Sequence, residues 1–146
     1  MTEIQIKLLR DNAKIPAFAT SGAAGVDLVA VLSERLEIKP GQTVFVPTGL
    51  AMAIPSGLFG MIVARSGIAC KRGLAPANKV GIIDSDYRGE IMVALHNHGT
   101  ESQYVDTGER IAQMLFVPYV QPTLTAVSEL DETARGNGGF GSTGRA

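Results

Sequence analysis

Two acidic residues, a tyrosine and an arginine follow an apolar stretch near the middle of the chain. Residues 78–89 read Asn-Lys-Val-Gly-Ile-Ile-Asp-Ser-Asp-Tyr-Arg-Gly, so that Asp84 and Asp86 come directly after the predicted strand at residues 80–83. A carboxylate held at a strand end can act as a general base or orient a water molecule, which makes both residues catalytic candidates. An ordinary Asp-rich turn with Tyr87 buried in the core is the alternative interpretation, because turns prefer Asp and Gly.

Three further segments carry groups that could bind an anion or a metal. Arg65 and Ser66 lie at the start of a predicted short helix, where free N–H groups would suit a polyphosphate; in the simpler interpretation Ser66 only caps the helix. Asp27 is the single acid in an apolar strand, and there it needs a partner or a metal. Gln113 is a similarly placed amide, for which a core hydrogen bond and a ligand contact both remain open.

The last twelve residues contain five glycines and cannot pack as core. The pattern G-x-G-x-x-G begins at Gly136, but only five residues follow it, too few for the helix that a dinucleotide-binding site requires. Successive glycines still allow backbone N–H groups to surround an anion, with Arg135 and Ser142 as further donors. Phe140 could stack on a flat ligand. A solvated chain end is the alternative interpretation.

Two reactive-looking features are assigned no chemistry. His96 and His98 would project to one side of a strand, but no further Cys or His lies nearby to complete a zinc site, and Asn-His-Gly is typical of a hairpin end. Cys70 is the only cysteine, so it forms no disulfide within the chain, and no nearby His indicates that it is activated.

Short strands must position these groups. Alternating or apolar runs bounded by Gly, Pro and Asp predict strands at residues 4–8, 26–32, 43–46, 50–54, 58–64, 91–96 and 111–120. Their regular spacing predicts an all-β sandwich, jelly roll or barrel. Two helices are expected: one at residues 66–73, capped by Ser66 and ended by Gly73, and a weaker one around residues 128–134.

Length and composition bound the remaining possibilities. The 146 residues fit one domain, which we divide into a β domain at 1–134 and a Gly-rich tail at 135–146. An apolar content of 45% with 18% charged residues is that of a globular protein. A net charge of −1 argues against charge-driven binding to nucleic acid or membranes, and no signal-peptide or membrane-spanning run is present, so we expect a soluble cytoplasmic protein.

The candidate segments, in this order and spacing, resemble the five motifs of the trimeric dUTPase family. They are residues 23–28, 65–69, 78–89, 108–114 and 135–144, which together span most of the chain. The resemblance implies a jelly-roll-like β fold and a homotrimer with three shared active sites. It also implies Mg²⁺-dependent cleavage of dUTP to dUMP and pyrophosphate, which limits uracil incorporation into DNA and supplies dUMP for dTMP synthesis.

The same resemblance implies roles for individual residues. Asp84 would orient and deprotonate the water that attacks the α-phosphorus, Asn78 and the backbone after it would read the uracil edge, and Tyr87 would press on the deoxyribose. Phosphates would be held by Arg65, Ser66, Gln113 and Arg135, while Asp27 would contact Mg²⁺ through water. The tail would close over the site of a neighbouring subunit with Phe140 stacked on the base. Further substrate-binding positions implied are Gly67, Gly81, Ile83, Met92, Gly141 and Ser142.

Two alternatives of different kinds stay open at this point. The first is a dCTP deaminase, or a bifunctional deaminase and dUTPase, on a related fold. Deamination would require a catalytic glutamate in another position. The second is a trimer that binds dUTP without turnover.

Overall fold

Short apolar runs separated by Gly and Pro form short antiparallel strands in the computed structural model, which describes residues 3–139. A run of this kind gives a strand of three to nine residues, and a turn signal then reverses the chain. The elements are β1 Gln5–Leu8, β2 Val26–Val29, β3 Leu36–Ile38, β4 Thr43–Pro47, β5 Leu50–Ala53, β6 Leu58–Val63, α1 Ser66–Arg72, β7 Leu74–Pro76, β8 Gly81–Ile83, β9 Met92–Asn97, β10 Gln103–Val105 and β11 Arg110–Pro118.

The strands form four small sheets around one apolar core. The largest has the order β2-β11-β6-β8, a second has the order β4-β9-β7, and β1 pairs with β5 and β3 with β10. Period-two alternation explains the arrangement, since β2 buries Val26 and Leu28 and turns Asp27 toward the opposite face. The fully buried side chains Leu28, Ile38 and Leu95 come from three different sheets, so one core joins them.

The predicted all-β jelly-roll class is confirmed. Each predicted run contains a strand, although β2 ends at Val29 and β11 at Pro118, both earlier than expected. The sequence-based reasoning did not identify β3, β7 and β10, which have three residues each. Three residues are too few to show a period, and their pairing with longer strands creates them.

The helix predictions were partly wrong. Gly73 ends α1 in the left-handed region at φ 65°, as expected, and donates its N–H to Ala69. Ser66 does not cap the helix: it is the first helical residue, and Arg65 occupies the N-cap position without a side-chain capping hydrogen bond. Residues 128–134 form no helix, because nothing packs against them: Leu130 is 84% exposed, and an isolated helix of this length is marginal in water.

One buried polar side chain joins the strand ends near α1. Asn97 is fully buried; its amide donates to the carbonyls of Ile38 and Glu101 at 2.9 and 2.8 Å, and its oxygen accepts from Gly99 N–H at 2.9 Å. The amide nitrogen and the amide oxygen of Asn97 therefore both have hydrogen-bond partners within the fold. Among residues 3–139, no helix is both long and apolar enough to cross a bilayer.

Candidate active site

The central strand β11 brings three distant segments together. Because β11 pairs with both β2 and β6, Gln113 lies opposite Asp27 on one side and Val63 on the other. The chain leaves β6 at Val63 and enters α1 three residues later at Ser66, which places Arg65, Ser66 and Gly67 at the same end of the sheet. These residues line an open cavity of about 300 Å³ together with Asp27, Gln113 and Arg110, which we call the anion pocket.

Asp27 organises the charges of the anion pocket. Its Oδ1 accepts from Arg65 Nε at 2.7 Å and its Oδ2 accepts from Arg110 Nη1 at 3.2 Å. The side chain of Asp27 is 26% exposed, so the lone acid expected in this strand has a partner on each oxygen. Gln113 Nε2 donates to the carbonyl of Ala64 at 2.9 Å, which leaves the amide oxygen available to a ligand.

Sequence reasoning missed Arg110. In a regular strand Arg110 and Gln113 would point to opposite faces, because they are three residues apart. The pairing of β11 with β2 shifts register between Arg110 and Ala112, and this bulge lets both side chains line the anion pocket. The sequence shows only that Arg110 is a cation next to a predicted turn. That signal alone would not have placed Arg110 in the anion pocket.

A second, smaller cavity collects the residues expected to read a base. Asn78, Gly81, Ile83 and Met92 line about 200 Å³ between β8 and β9, together with Phe45, which sequence reasoning also missed. We call it the base pocket. A Cβ on Gly81 would lie 3.2 Å from Ile62 Cβ and 3.5 Å from Asn78 Nδ2, so only glycine leaves this space open.

Phe45 has a recognisable signal in retrospect. The residues of β4 are Thr-Val-Phe-Val-Pro, with apolar side chains on both faces of the strand, and Phe45 is 67% exposed. Phe45 is thus an apolar residue on the face of β4 opposite the buried Val46, and it lines the base pocket.

The loop after β8 carries Asp84 and Tyr87. It forms the predicted tight turn, with Tyr87 N–H donating to the carbonyl of Asp84 at 3.1 Å. The alternative in which Tyr87 fills the core was wrong, since the ring is 43% exposed. Asp84 lies at the surface beside Phe59 and Tyr119 in an open cleft of about 690 Å³.

Asp84 and the anion pocket of one chain lie far apart. Ile83 pairs with Gly60, so Asp84 lies beside Phe59 near the start of β6, whereas Arg65 follows the end of β6. Phe59 and Arg65 are six residues apart in extended backbone, a span of about 20 Å. Hydrogen bonds of about 3 Å and one arginine side chain do not bridge that distance.

The described part of the tail touches no pocket. Arg135 is exposed, and Gly136 N–H and Gly138 N–H close local turns on Thr133 and Arg135. Phe140, Gly141 and Ser142 lie outside the described residues.

Candidate metal ligands are sparse. Residues 3–139 hold no cluster of three or more His, Cys, Asp or Glu able to bind an ion. His96 and His98 do project to one side of β9, with ring centroids 4.4 Å apart, but no third ligand joins them there. Burial, and then the charges of Lys79 and His96, lower the pKa of His98, so the neutral form is favoured. Asp27 is the one carboxylate among the described residues that line the anion pocket.

The fold and the cavities define a jelly-roll β protein with an anion pocket and a separate base pocket. The family model for dUTPase matches residues 11–144. The chain therefore belongs to the dUTPase family.

Relatives of known name match it from end to end. The deoxyuridine 5'-triphosphate nucleotidohydrolase of Desulfitobacterium hafniense is 54% identical, with 99% of each chain covered. That of Escherichia coli K12 is 46% identical, again with 99% of each covered. Among solved structures, the dUTPase of Staphylococcus bacteriophage 80alpha with dUpNHpp is 28% identical and covers 99% of this chain and 100% of its own, with a TM-score of 0.91.

Proposed function

We propose that this chain hydrolyses dUTP to dUMP and pyrophosphate as a Mg²⁺-dependent homotrimer. Membership of the dUTPase family supports the reaction class. The observation that carries the proposal is the double pairing of β11, because it gathers Asp27, Arg65 and Gln113 from three sequence segments around one cavity.

The anion pocket would hold the phosphates. Arg65 offers a guanidinium already oriented by Asp27, and Ser66 and the N–H of Gly67 add neutral donors beside it. A polyphosphate requires oriented positive groups that offset charge as it moves toward the leaving group. The free amide oxygen of Gln113 would accept from a water or hydroxyl of the bound ligand.

Mg²⁺ fits this donor set in one specific way. Magnesium keeps several waters and is commonly held by one or two carboxylates plus the phosphates of the substrate, so a protein cage is not needed. Asp27 would supply that carboxylate. Because its two oxygens already contact Arg65 and Arg110, it would contact the ion through water. When bound, the ion would neutralise phosphate charge.

The base pocket would select uracil. Asn78 and the backbone that follows it present donors and acceptors at the mouth of an apolar cavity closed by Ile83 and Met92. Cytosine in a pocket built to pair with uracil leaves buried polar groups unpaired, which excludes it strongly. Tyr87 would cover the deoxyribose and leave no room for a 2′-hydroxyl.

Asp84 would act as the general base. Its exposed carboxylate, at the end of β8, would accept the proton of a water molecule as the oxygen of that water bonds to the α-phosphorus. The bond from the α-phosphorus to the bridging oxygen then breaks, and pyrophosphate leaves with the electron pair.

A homotrimer would bring together the groups that lie far apart within one chain. Since Asp84 lies beside the start of β6 and Arg65 follows its end, about 20 Å further along extended backbone, a complete site would need Arg65 of a neighbouring subunit. The segment after β11 supports such contact: Val120, Leu124 and Leu130 are 84 to 91% exposed, which is costly unless another chain covers them. We propose that residues 135–146, with Arg135, Phe140, Gly141 and Ser142, close over a neighbouring site, as an appendage of the β domain at 1–134.

Nucleotide turnover tests this function. Pyrophosphate release from dUTP should exceed release from dCTP, dTTP and UTP, and chelation of Mg²⁺ should abolish it. Release of ammonia from dCTP would instead establish a deaminase. Binding of dUTP with no pyrophosphate released at any Mg²⁺ concentration would establish a silent nucleotide-binding trimer.

A further inference from the structure

Glu90 forms a bidentate ion pair with Arg10. Its Oε1 accepts from Arg10 Nε at 2.8 Å and from Gly49 N–H at 2.9 Å, and its Oε2 accepts from Arg10 Nη2 at 3.0 Å. Two parallel hydrogen bonds from one guanidinium fix the carboxylate in direction as well as in distance. The side chain of Glu90 is only 21% exposed, although that of Arg10 is 44% exposed.

The partners of Glu90 are rigid points of the fold. Gly49 has φ 69°, and a Cβ there would lie 2.6 Å from Ala13 Cβ, so the turn between β4 and β5 is tightly packed. Leu9 N–H donates to the carbonyl of Gly49 at 2.8 Å, which ties the chain just after β1 to the same turn. Glu90 therefore anchors the end of the 84–90 loop to β1 and to the β4–β5 turn.

The anchored residue also holds Tyr87. The phenol of Tyr87 donates to the backbone carbonyl of Glu90 at 3.0 Å. The ring lies on Gly89, where a Cβ would come within 2.4 Å of Tyr87 Oη and 2.6 Å of Tyr87 Cζ. The orientation of the exposed Tyr87 ring is thus set by the carbonyl of Glu90 and by the backbone of Gly89. Both lie next to the side chain of Glu90, which Arg10 binds.

We propose that Arg10 and Glu90 are positioning residues that fix the Tyr87 ring and thereby determine the preference for deoxyribo- over ribonucleotides. This inference rests on the proposed function, in which Tyr87 covers the sugar. Neither residue touches the anion pocket or the base pocket. The pair is partly exposed through Arg10 and adds only modestly to stability, so its geometric effect on Tyr87 is the consequence to measure.

The test compares two arginine variants that each lose an ion pair. Arg10→Gln breaks the bidentate contact, whereas Arg35→Gln, the matched control, breaks an exposed pair with Asp106 at 3.6 Å elsewhere on the surface. We measure kcat and KM for dUTP and UTP. Arg10→Gln should lower the ratio of kcat/KM for dUTP to that for UTP by about tenfold, mainly through KM, because a charged bidentate contact is lost. Arg35→Gln should leave the ratio unchanged, and Arg10→Lys should restore part of it.

A double-mutant cycle separates positioning from a general structural role. In a Tyr87→Phe background the hydroxyl contact is already gone, so Arg10→Gln should change the ratio far less than in the wild-type chain. Full retention of the ratio in Arg10→Gln and in Glu90→Gln would overturn the proposal, as would equal effects in both backgrounds. If Arg10→Gln and Glu90→Gln both fail to fold, the proposal is also overturned, since the ion pair would then support the domain as a whole. A wild-type chain that releases no pyrophosphate from dUTP would refute the proposed function instead.

Discussion

Mixed trimers provide a direct test of how the site is assembled. Asp84→Asn keeps the shape of the side chain and removes the base, and Arg65→Gln removes the guanidinium of the anion pocket. Each variant alone should turn over very little dUTP, because every site of the proposed homotrimer would lack one group. The two changes lie at opposite ends of β6, about 20 Å apart within a chain.

The recovered activity has a definite magnitude. If each site combines Asp84 of one subunit with Arg65 of the next, random assembly of equal amounts gives both intact groups with a chance of one half times one half. Each of the three equivalent sites of a trimer has this chance, so we expect about one quarter of wild-type activity per total protein after co-refolding. A site built within one chain predicts no recovery, because every chain in the mixture carries a lesion.

The assay is pyrophosphate release after denaturation and joint refolding of the two variants. Refolding each variant separately and mixing afterwards is the control, and it should stay inactive if subunits exchange slowly. Native mass spectrometry of mass-tagged chains shows whether mixed trimers have formed. Mixed trimers present without activity would refute the reasoning, since they would contain every group that a shared site requires.

Three other changes have defined outcomes. Deletion of residues 135–146 should leave a folded β domain by circular dichroism with little dUTP turnover, because residues 135–137 are exposed and add nothing to the core; failure to fold would make the tail structural. Asn97→Ala should lower the free energy of unfolding in urea by about 3 kcal/mol, since three backbone groups lose their partner, and a loss below 1 kcal/mol would contradict this. The hydrogen bonds from Arg10 hold the pKa of Glu90 below its ordinary value of 4.5, so its contribution to stability is complete above that pH and is lost as pH falls through the lower folded-state value. Glu90→Gln should therefore lose less stability than the wild-type chain on acidification; parallel acid-unfolding curves would contradict the linkage.

Residue types and short-range patterns predicted much of this molecule. The all-β class followed from strand-length runs and turn signals, the jelly roll followed from the resemblance to the dUTPase family, and the αL end of α1 followed from Gly73. The structure places Asp27, Arg65 and Gln113 in one pocket. The sequence had indicated an anion for Arg65, a partner or a metal for Asp27, and either a core hydrogen bond or a ligand contact for Gln113. These features depend on local spacing, which is visible in a linear sequence.

The missed features depend on contacts between distant residues. Arg110 reaches the anion pocket only because of a bulge in the pairing of β11 with β2. Arg10 and Glu90 are eighty residues apart, and nothing near either one in the chain indicates the other. Ser66 was assigned the cap because its type is favoured there, but Arg65, whose side chain pairs with Asp27, occupies the capping position instead. Tertiary geometry decides each of these cases.

The double pairing of β11 also restricts where insertions and deletions can be tolerated in this chain. One extra residue just before Gln113 would turn its amide away from Asp27 and rotate the fully buried Met114 toward solvent, against two partner strands at once. Length changes should therefore accumulate in the exposed turns, for example at Gly41 and Gly57, where nothing lies within 4 Å of an added side chain. In a library of single-residue insertions scored for folding, insertions within β11 should prevent folding, whereas insertions in exposed turns should be tolerated.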